Sequence, residues 1–378
     1  MKLLSRYAEC IFWMARYMER AENLARILDV HETFDRDSRG GKQWEPILRL
    51  NADETRFYEF YDAPTAENVI RFYVLDENNP TSIRYSVRAA RENARTLRPW
   101  ISTEMWTQIN VFYNHLSGLG GRDVETQRLS ALCAQVKEAS QTHTGITEGT
   151  FYRDQGWYFY QLGKYLERAD QTTRLIDVKY HLLLPSVAEV GSPLDVSQWN
   201  ALLRSAAGYH AFRRVYPRGM TPQAVAGFLL FDQGFPRSVS VCVRTVNRFL
   251  TELKSRYHLR GGDPALEVLD EILAVLISKP IDGVLADGLH LYLDWLQIRL
   301  ADVAGAVGTG FFGWPATSVA RKVTLTGSPA QGWAERSWKL DAVASFKRGP
   351  GSGKFKSMGA PGPSTFGRRI SATTPAMP

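Results

Sequence analysis

The string Arg16-Tyr17-Met18-Glu19-Arg20-Ala21-Glu22 recurs 148 positions later as Lys164-Tyr165-Leu166-Glu167-Arg168-Ala169-Asp170. The register continues beyond the string, with Arg26 matched by Arg174 and Asp29-Val30 by Asp177-Val178. A second pair of segments keeps the same order: Asp76, Pro80, Ser82 and Ile83 recur 156 positions on as Asp232, Pro236, Ser238 and Val239. A repeat of this length constrains the fold more than any motif, because it decides how the motifs are counted. It predicts two related halves, residues 1 to about 150 and about 151 to 303, packed around a pseudo-twofold axis.

Within each half, apolar residues return at three- and four-residue spacing, and period-two runs bounded by turn residues are scarce. The prediction is an all-α helical bundle built by internal duplication. Breaks fall at Arg39-Gly40-Gly41, Gly118 to Gly121, Leu184-Pro185 through Pro193, Pro217 to Gly219, Gly261-Gly262 and Lys279-Pro280. Thr221-Pro222 places a capping hydroxyl before a proline at a first helical position, and Asn79-Pro80 reads similarly. The last helix is expected over Ile281 to Val303.

The 378 residues carry a formal charge of +7, which would ordinarily direct attention to nucleic acid or an anionic membrane. The distribution argues otherwise. Residues 304–378 hold 10 Lys and Arg against 2 acidic residues, leaving 36 basic and 37 acidic residues for a neutral body. The reading is therefore no nucleic-acid partner and no membrane. The same segment holds 12 of the 30 glycines with many Pro, Ser and Thr. It reads as a basic tail of disordered composition, either a native extension or out-of-frame sequence appended to a complete domain, with the abrupt onset favouring the second. Cys10, Cys133 and Cys242 lack any pairing or metal-ligand spacing, which fits buried thiols in a reducing compartment. Arg6 and Glu9 interrupt the apolar run a signal peptide needs, and no stretch approaches the ~20 apolar residues of a membrane span, so the expected location is cytoplasmic.

On a helical wheel, Trp13, Met14, Tyr17, Met18, Ala21, Leu24, Ala25 and Leu28 share one apolar arc. Arg16, Glu19, Asn23 and Arg26 form a separate charged stripe, kept in the second copy as Lys164, Glu167, Gln171 and Arg174, while Arg20 and Arg168 border the apolar arc. One reading makes these i to i+4 ion pairs on a solvated face. The other brings Glu19 and Glu167 together in a groove walled by Arg and Lys that holds an anionic or zwitterionic group. The spacings Glu19 to Glu22 and Glu167 to Asp170 invite a di-metal reading, but the Glu-x-x-His pairs of such sites are missing and Arg20 and Arg168 would repel a cation, so no metal is expected. Ser82 and Ser238 follow proline at matched positions and read as capping residues rather than nucleophiles. No phosphate loop, dinucleotide fingerprint or Cys-His-acid set is present, so no cofactor is expected.

The stretches Leu4-Ser5-Arg6-Tyr7-Ala8-Glu9, Trp13 to Asn23, Asn79-Pro80-Thr81-Ser82-Ile83, Ala90 to Arg95 and Arg153-Asp154-Gln155-Gly156-Trp157 resemble the bacterial alpha-E family over residues 1 to about 303. The resemblance implies a helical domain of unknown function that accompanies, or is fused to, a circularly permuted ATP-grasp ligase and a transglutaminase-like protein. The implied setting is formation or modification of a peptide or amide bond. It singles out Arg16, Glu19, Arg20 and Glu22 with Glu167, Arg168 and Asp170, to which the repeat adds Lys164, as candidates for binding a peptide or amino-acid substrate. Ala15 departs from the family pattern, where glycine is usual. Three function classes stay open: a non-autonomous partner of the ligase, an amide-chemistry enzyme with Glu19 or Glu167 as general base, and a structural scaffold.

Overall fold

Ser82 and Ser238, the matched serines of the second repeated segment, each begin a helix by the same local chemistry. Each hydroxyl accepts a hydrogen bond from the backbone N–H three residues on, of Tyr85 and Val241, and donates one to the carbonyl six residues back, of Asp76 and Asp232. This satisfies a donor that the first helical turn leaves orphaned. Thr221 caps as expected, accepting from Ala224 N–H ahead of Pro222. Asn79 is not a cap; its side chain instead closes the turn, donating to the Phe72 carbonyl and accepting from Thr81 N–H.

These starts belong to a computed structural model that describes residues 3–37, 44–182, 192–217 and 219–315. The described residues form fifteen α-helices and no strand, so the all-α expectation holds. The first seven are α1 (Ser5–Asp37), α2 (Glu45–Leu50), α3 (Glu54–Tyr58), α4 (Ala66–Val74), α5 (Ile83–Thr96), α6 (Thr103–Ser117) and α7 (Thr126–Thr150). The remainder are α8 (Gln155–Leu182), α9 (Pro193–Ser205), α10 (Tyr209–Val215), α11 (Pro222–Phe231), α12 (Val239–Tyr257), α13 (Asp263–Ser278), α14 (Ile281–Asp287) and α15 (Leu289–Val307). No described helix is long and apolar enough to cross a membrane.

The two long helices α1 and α8, which carry the repeated strings, pack along one another at the centre. Around α1 stand α5 and α7, with α6 between them; around α8 stand α12 and α15, with α13 between them. The short helix that follows each long one crosses to the other, α2 onto α8 and α9 onto α1. A helix enclosed in this way cannot be amphipathic in the ordinary sense. The apolar arc read from the wheel is indeed inside, with Met14, Ala21, Ala25 and Leu28 buried, but Glu19, Glu22, Asn23 and Arg26 are buried too. The charged stripe is a second interior face.

What allows the central pair to come so close is a small residue on each helix. A Cβ on Gly163 would stand 2.3 Å from the Phe12 carbonyl oxygen and 3.3 Å from the Ala15 Cβ. Gly163 and Ala15 occupy the same position of the repeat, so the crossing point is built from one site used twice.

The expected boundaries shift at the C-terminal end. The single helix expected over Ile281 to Val303 is two, divided at Gly288, whose φ of +104° favours glycine. The packed body also continues past Val303: Phe312 stacks near Phe12 and Phe159, and the Trp314 indole N–H donates to the Glu9 carboxylate at 2.8 Å. The basic tail expected from residue 304 therefore cannot begin before Trp314, and residues 316–378 lie outside the described residues.

Glycine inside a helix costs about 1 kcal/mol relative to alanine, so propensity alone favours Gly163→Ala. The crossing predicts the reverse. Denaturant titration is expected to find Gly163→Ala less stable by about 1–3 kcal/mol, with Gly145→Ala in α7, where an added Cβ meets nothing within 4 Å, not destabilised.

Candidate functional site

At the α1–α8 crossing the two Glu-Arg pairs meet, and each glutamate takes the other pair's arginine. Arg168 donates from Nε and Nη2 to the two carboxylate oxygens of Glu19, at 2.7 and 2.8 Å. Arg20 donates in the same fork to Glu167, from Nε at 2.7 Å and Nη2 at 3.1 Å. Parallel donation of this kind fixes direction as well as charge. Each arginine also lies over the tyrosine three residues before it, Arg20 over Tyr17 at 5.5 Å and Arg168 over Tyr165 at 5.4 Å. Each glutamate draws a further bond from the residue four positions on, Asn23 for Glu19 at 2.9 Å and Gln171 for Glu167 at 3.3 Å.

The third cation differs between the halves. Glu167 receives Arg16 Nε at 2.7 Å. The matched Lys164 forms no ion pair with Glu19; its ammonium lies 3.6 Å from Glu148. Glu19 instead receives Arg237 from the loop before α12, at 3.1 Å, and the same guanidinium reaches Glu22 and Asn23. Sequence reasoning missed Arg237. The repeat gave no signal for it, because the matched residue before Ser82 is Thr81.

A second tier ties the short helices in. Glu22 pairs with Arg26, which donates to the carbonyl of Ser205 at the end of α9. Asp170 pairs with Arg174 at 2.9 Å, which donates to the carbonyl of Leu50 at the end of α2. Both arginines thus satisfy helix C-terminal carbonyls that lack partners within their own helix. Of the eight residues expected to form a site, Glu19, Glu22 and Arg168 enter one cluster with Arg237, Arg16, Arg20 and Glu167 enter the other, Asp170 belongs to the second tier, and Lys164 sits beside them.

These geometries overturn the solvated-face reading, since Glu19 is 4 % and Glu167 1 % exposed. Guanidinium and amide donors occupy both carboxylates. Burial alone would raise both carboxyls. The Arg168 and Arg237 charges outweigh it for Glu19 and hold it far below the usual carboxylate range; Arg20 and Arg16 bring Glu167 down to about 2. A carboxylate that resists protonation so strongly is a weak general base at neutral pH. Burial, reinforced by Arg168, lowers the Lys164 ammonium. Burial raises the thiols of Cys133 and Cys242, the latter to about 12, so neither is a ready nucleophile.

Metal-ligating types gather elsewhere. Among the described residues Asp177, His290 and Asp294 offer ligand atoms within 4.8 Å of one another. His290 Nδ1 lies 3.0 Å from Asp177, and Nε2 lies 3.4 Å from Asp294. At the matched position of the repeat, Asp29 on α1 pairs with Lys137 on α7 at 2.7 Å. His290 on α15 stands where the first half has a lysine, and its hydrogen bond to Asp177 raises its pKa despite partial burial.

Three pH dependences follow. Glu167 titrates at about 2 when folded against an ordinary 4.5, so it contributes stability above pH 4.5 that is lost as pH falls toward 2. Glu167→Gln is expected to be less stable at neutral pH by about 3–5 kcal/mol, through the unpaired Arg16 and Arg20, and to lose less on acidification from pH 4.5. His143, pushed down to about 4 by burial and then by Lys164, produces its own loss between its ordinary 6.5 and 4, above that window. For His290 the sign reverses. Its raised pKa contributes stability fully below 6.5 that disappears as pH rises through the folded value, so His290→Lys is expected to retain stability in the alkaline range where the parent declines, read by urea titration at each pH.

The Alpha-E family model, described as a predicted alpha-helical domain with a conserved ER motif, matches residues 3–312. Within that stretch Glu-Arg occurs at 19–20 and at 167–168. An uncharacterised protein of Mycobacterium bovis is 26% identical over 321 residues, covering 78% of this chain and 35% of its own. Uncharacterised proteins of two Mycobacterium tuberculosis strains are 26% and 25% identical with the same coverage. The chain thus spans about a third of the length of the curated relatives it matches. No solved structure matches it. On the family match, which takes in both Glu-Arg pairs and runs through the π-helical turn after α15, the chain belongs to the Alpha-E family.

Proposed function

We propose that this chain is a helical module with no catalytic group of its own, working in the cytoplasm beside a circularly permuted ATP-grasp ligase and a transglutaminase-like protein in peptide or amide-bond formation or modification. The observation that carries the non-catalytic part is the reciprocal pairing of Glu19 with Arg168 and Glu167 with Arg20 in the interior. A group that binds or activates a substrate must exchange partners with it, and these carboxylates have theirs on the opposite helix. In this reading the candidate residues other than Lys164 hold and orient the central helices and the short helices that cross them, and contact with a peptide falls to other surfaces. The length of the relatives supports a module among other domains. The same reading takes the two halves as copies of one ancestral unit, supported by the matched neighbours of α1 and α8 and by the paired serine caps.

Co-expression of the chain with such a ligase tests the proposal. The expected result is a complex that survives gel filtration and a ligation rate that depends on it, with no turnover by the isolated chain. No complex and an unchanged rate would overturn the partnership. Amide-forming or amide-cleaving turnover by the isolated chain, abolished by a folded Glu19→Gln variant, would restore the general-base reading.

A further inference from the structure

The C-terminal half of α1, the end of α9, Lys137 of α7 and Tyr209 of α10 line two adjoining half-open cavities of about 390 and 340 Å³. They share Thr33, Arg36, Ala201 and Arg204 as lining and so form one continuous cleft. A cleft of this size accommodates a small organic ligand. Its charge is unbalanced: Arg36, Lys137 and Arg204 face a single lining carboxylate, Asp29, which Lys137 already occupies at 2.7 Å.

Two guanidiniums remain. Arg36 is 63 % exposed and held to Glu32 only at 3.4 Å, a contact that solvent screens and a ligand can replace at small cost. Arg204 pairs with no carboxylate among the described residues; its guanidinium carbon lies 4.5 Å from the centre of the Tyr209 ring, a cation–π contact that holds the group without neutralising it. The other half of the molecule supplies the comparison. Arg26 binds the carbonyl of Ser205 as Arg174 binds that of Leu50, so the residues just before, Arg204 and Arg49, occupy matched places. Arg49 is flanked by Glu45 at 3.0 Å and Glu54 at 3.6 Å. The first half thus neutralises this arginine with two carboxylates, whereas the second leaves it open beside a cavity.

We propose that the cleft bounded by α1, α9 and Lys137 binds a small ligand through a carboxylate or phosphate group held by Arg204 and Arg36. Arg204, held beside Tyr209, offers the forked donor set of a guanidinium, which suits planar and tetrahedral oxyanions. Thr33 and Asn200 supply polar groups along the wall, and the Tyr209 ring and Ala201 supply apolar surface for the body of the ligand. The inference stands independently of the ligase partnership, since a structural module can carry such a site whichever protein it accompanies.

Titration calorimetry on the full chain at low salt tests it with three probes: inorganic pyrophosphate, a tripeptide with a free C-terminal carboxylate, and the same tripeptide as its C-terminal amide. The expected result is saturable binding of pyrophosphate or of the free tripeptide, weakened by added salt, with no binding of the amide. Binding of one probe alone identifies phosphate or carboxylate as the natural group. Arg204→Gln and Arg36→Gln alter exposed side chains and are each expected to weaken binding by about tenfold or more without changing thermal stability, while Arg49→Gln leaves it unchanged. Absence of saturable binding of every probe would overturn the proposal. So would binding that survives both Arg204→Gln and Arg36→Gln.

Discussion

Two carboxylates removed from water at the centre of a helical protein require fixed positive charge opposite them, and the rest of this structure is arranged around that requirement. An uncompensated buried charge costs several kcal/mol, whereas a correctly paired one adds little net stability over an apolar contact. The effect is selective rather than simply stabilising. Any register of α1 against α8 in which Glu19 misses Arg168 and Glu167 misses Arg20 strands four charges at once. The close crossing at Ala15 and Gly163 brings the backbones near enough for both forks to close, and Arg26 and Arg174 carry the constraint outward to the ends of α9 and α2.

Much of this was legible in the sequence. The three- and four-residue spacing gave the helices, the Asp-Pro-Ser segments gave two of their starts, and the repeated string located the helices that form the centre. The wheel failed at the charged stripe because it assumes that a helix has one buried face. When a helix is enclosed by five others, a polar stripe can be interior provided another helix supplies its counterions, and a single-helix projection carries no information about the second helix. Ion pairing at i to i+4, the usual explanation of such a stripe, does occur at Glu22 with Arg26 and Asp170 with Arg174. The dominant pairs, however, join residues about 150 positions apart, at the separation of the repeat itself.

Three differences between the two halves change how a cation is paired. Lys164 replaces Arg16 and does not reach its glutamate, so Arg237 enters from a loop. His290 stands where the first half has Lys137, so one of the two matched pairs holds a group whose charge depends on pH above the ordinary histidine range. Arg204 stands without the glutamates that surround Arg49. The charges of the clasp are buried, whereas these differences lie around it, and beside Arg204 they leave a guanidinium with no carboxylate partner among the described residues.

The central claim, that each Glu-Arg pair exists to complete the other, is tested most directly by a double-mutant cycle between Glu167 on α8 and Arg20 on α1. Stability is measured by denaturant unfolding for Glu167→Ala, Arg20→Ala and the double variant. The account predicts a coupling energy of at least about 1.5 kcal/mol, with the double variant more stable than the sum of the single losses implies. Additive losses would contradict it, because they would mean that the two side chains act independently and that the reciprocal clasp does not hold the helices together.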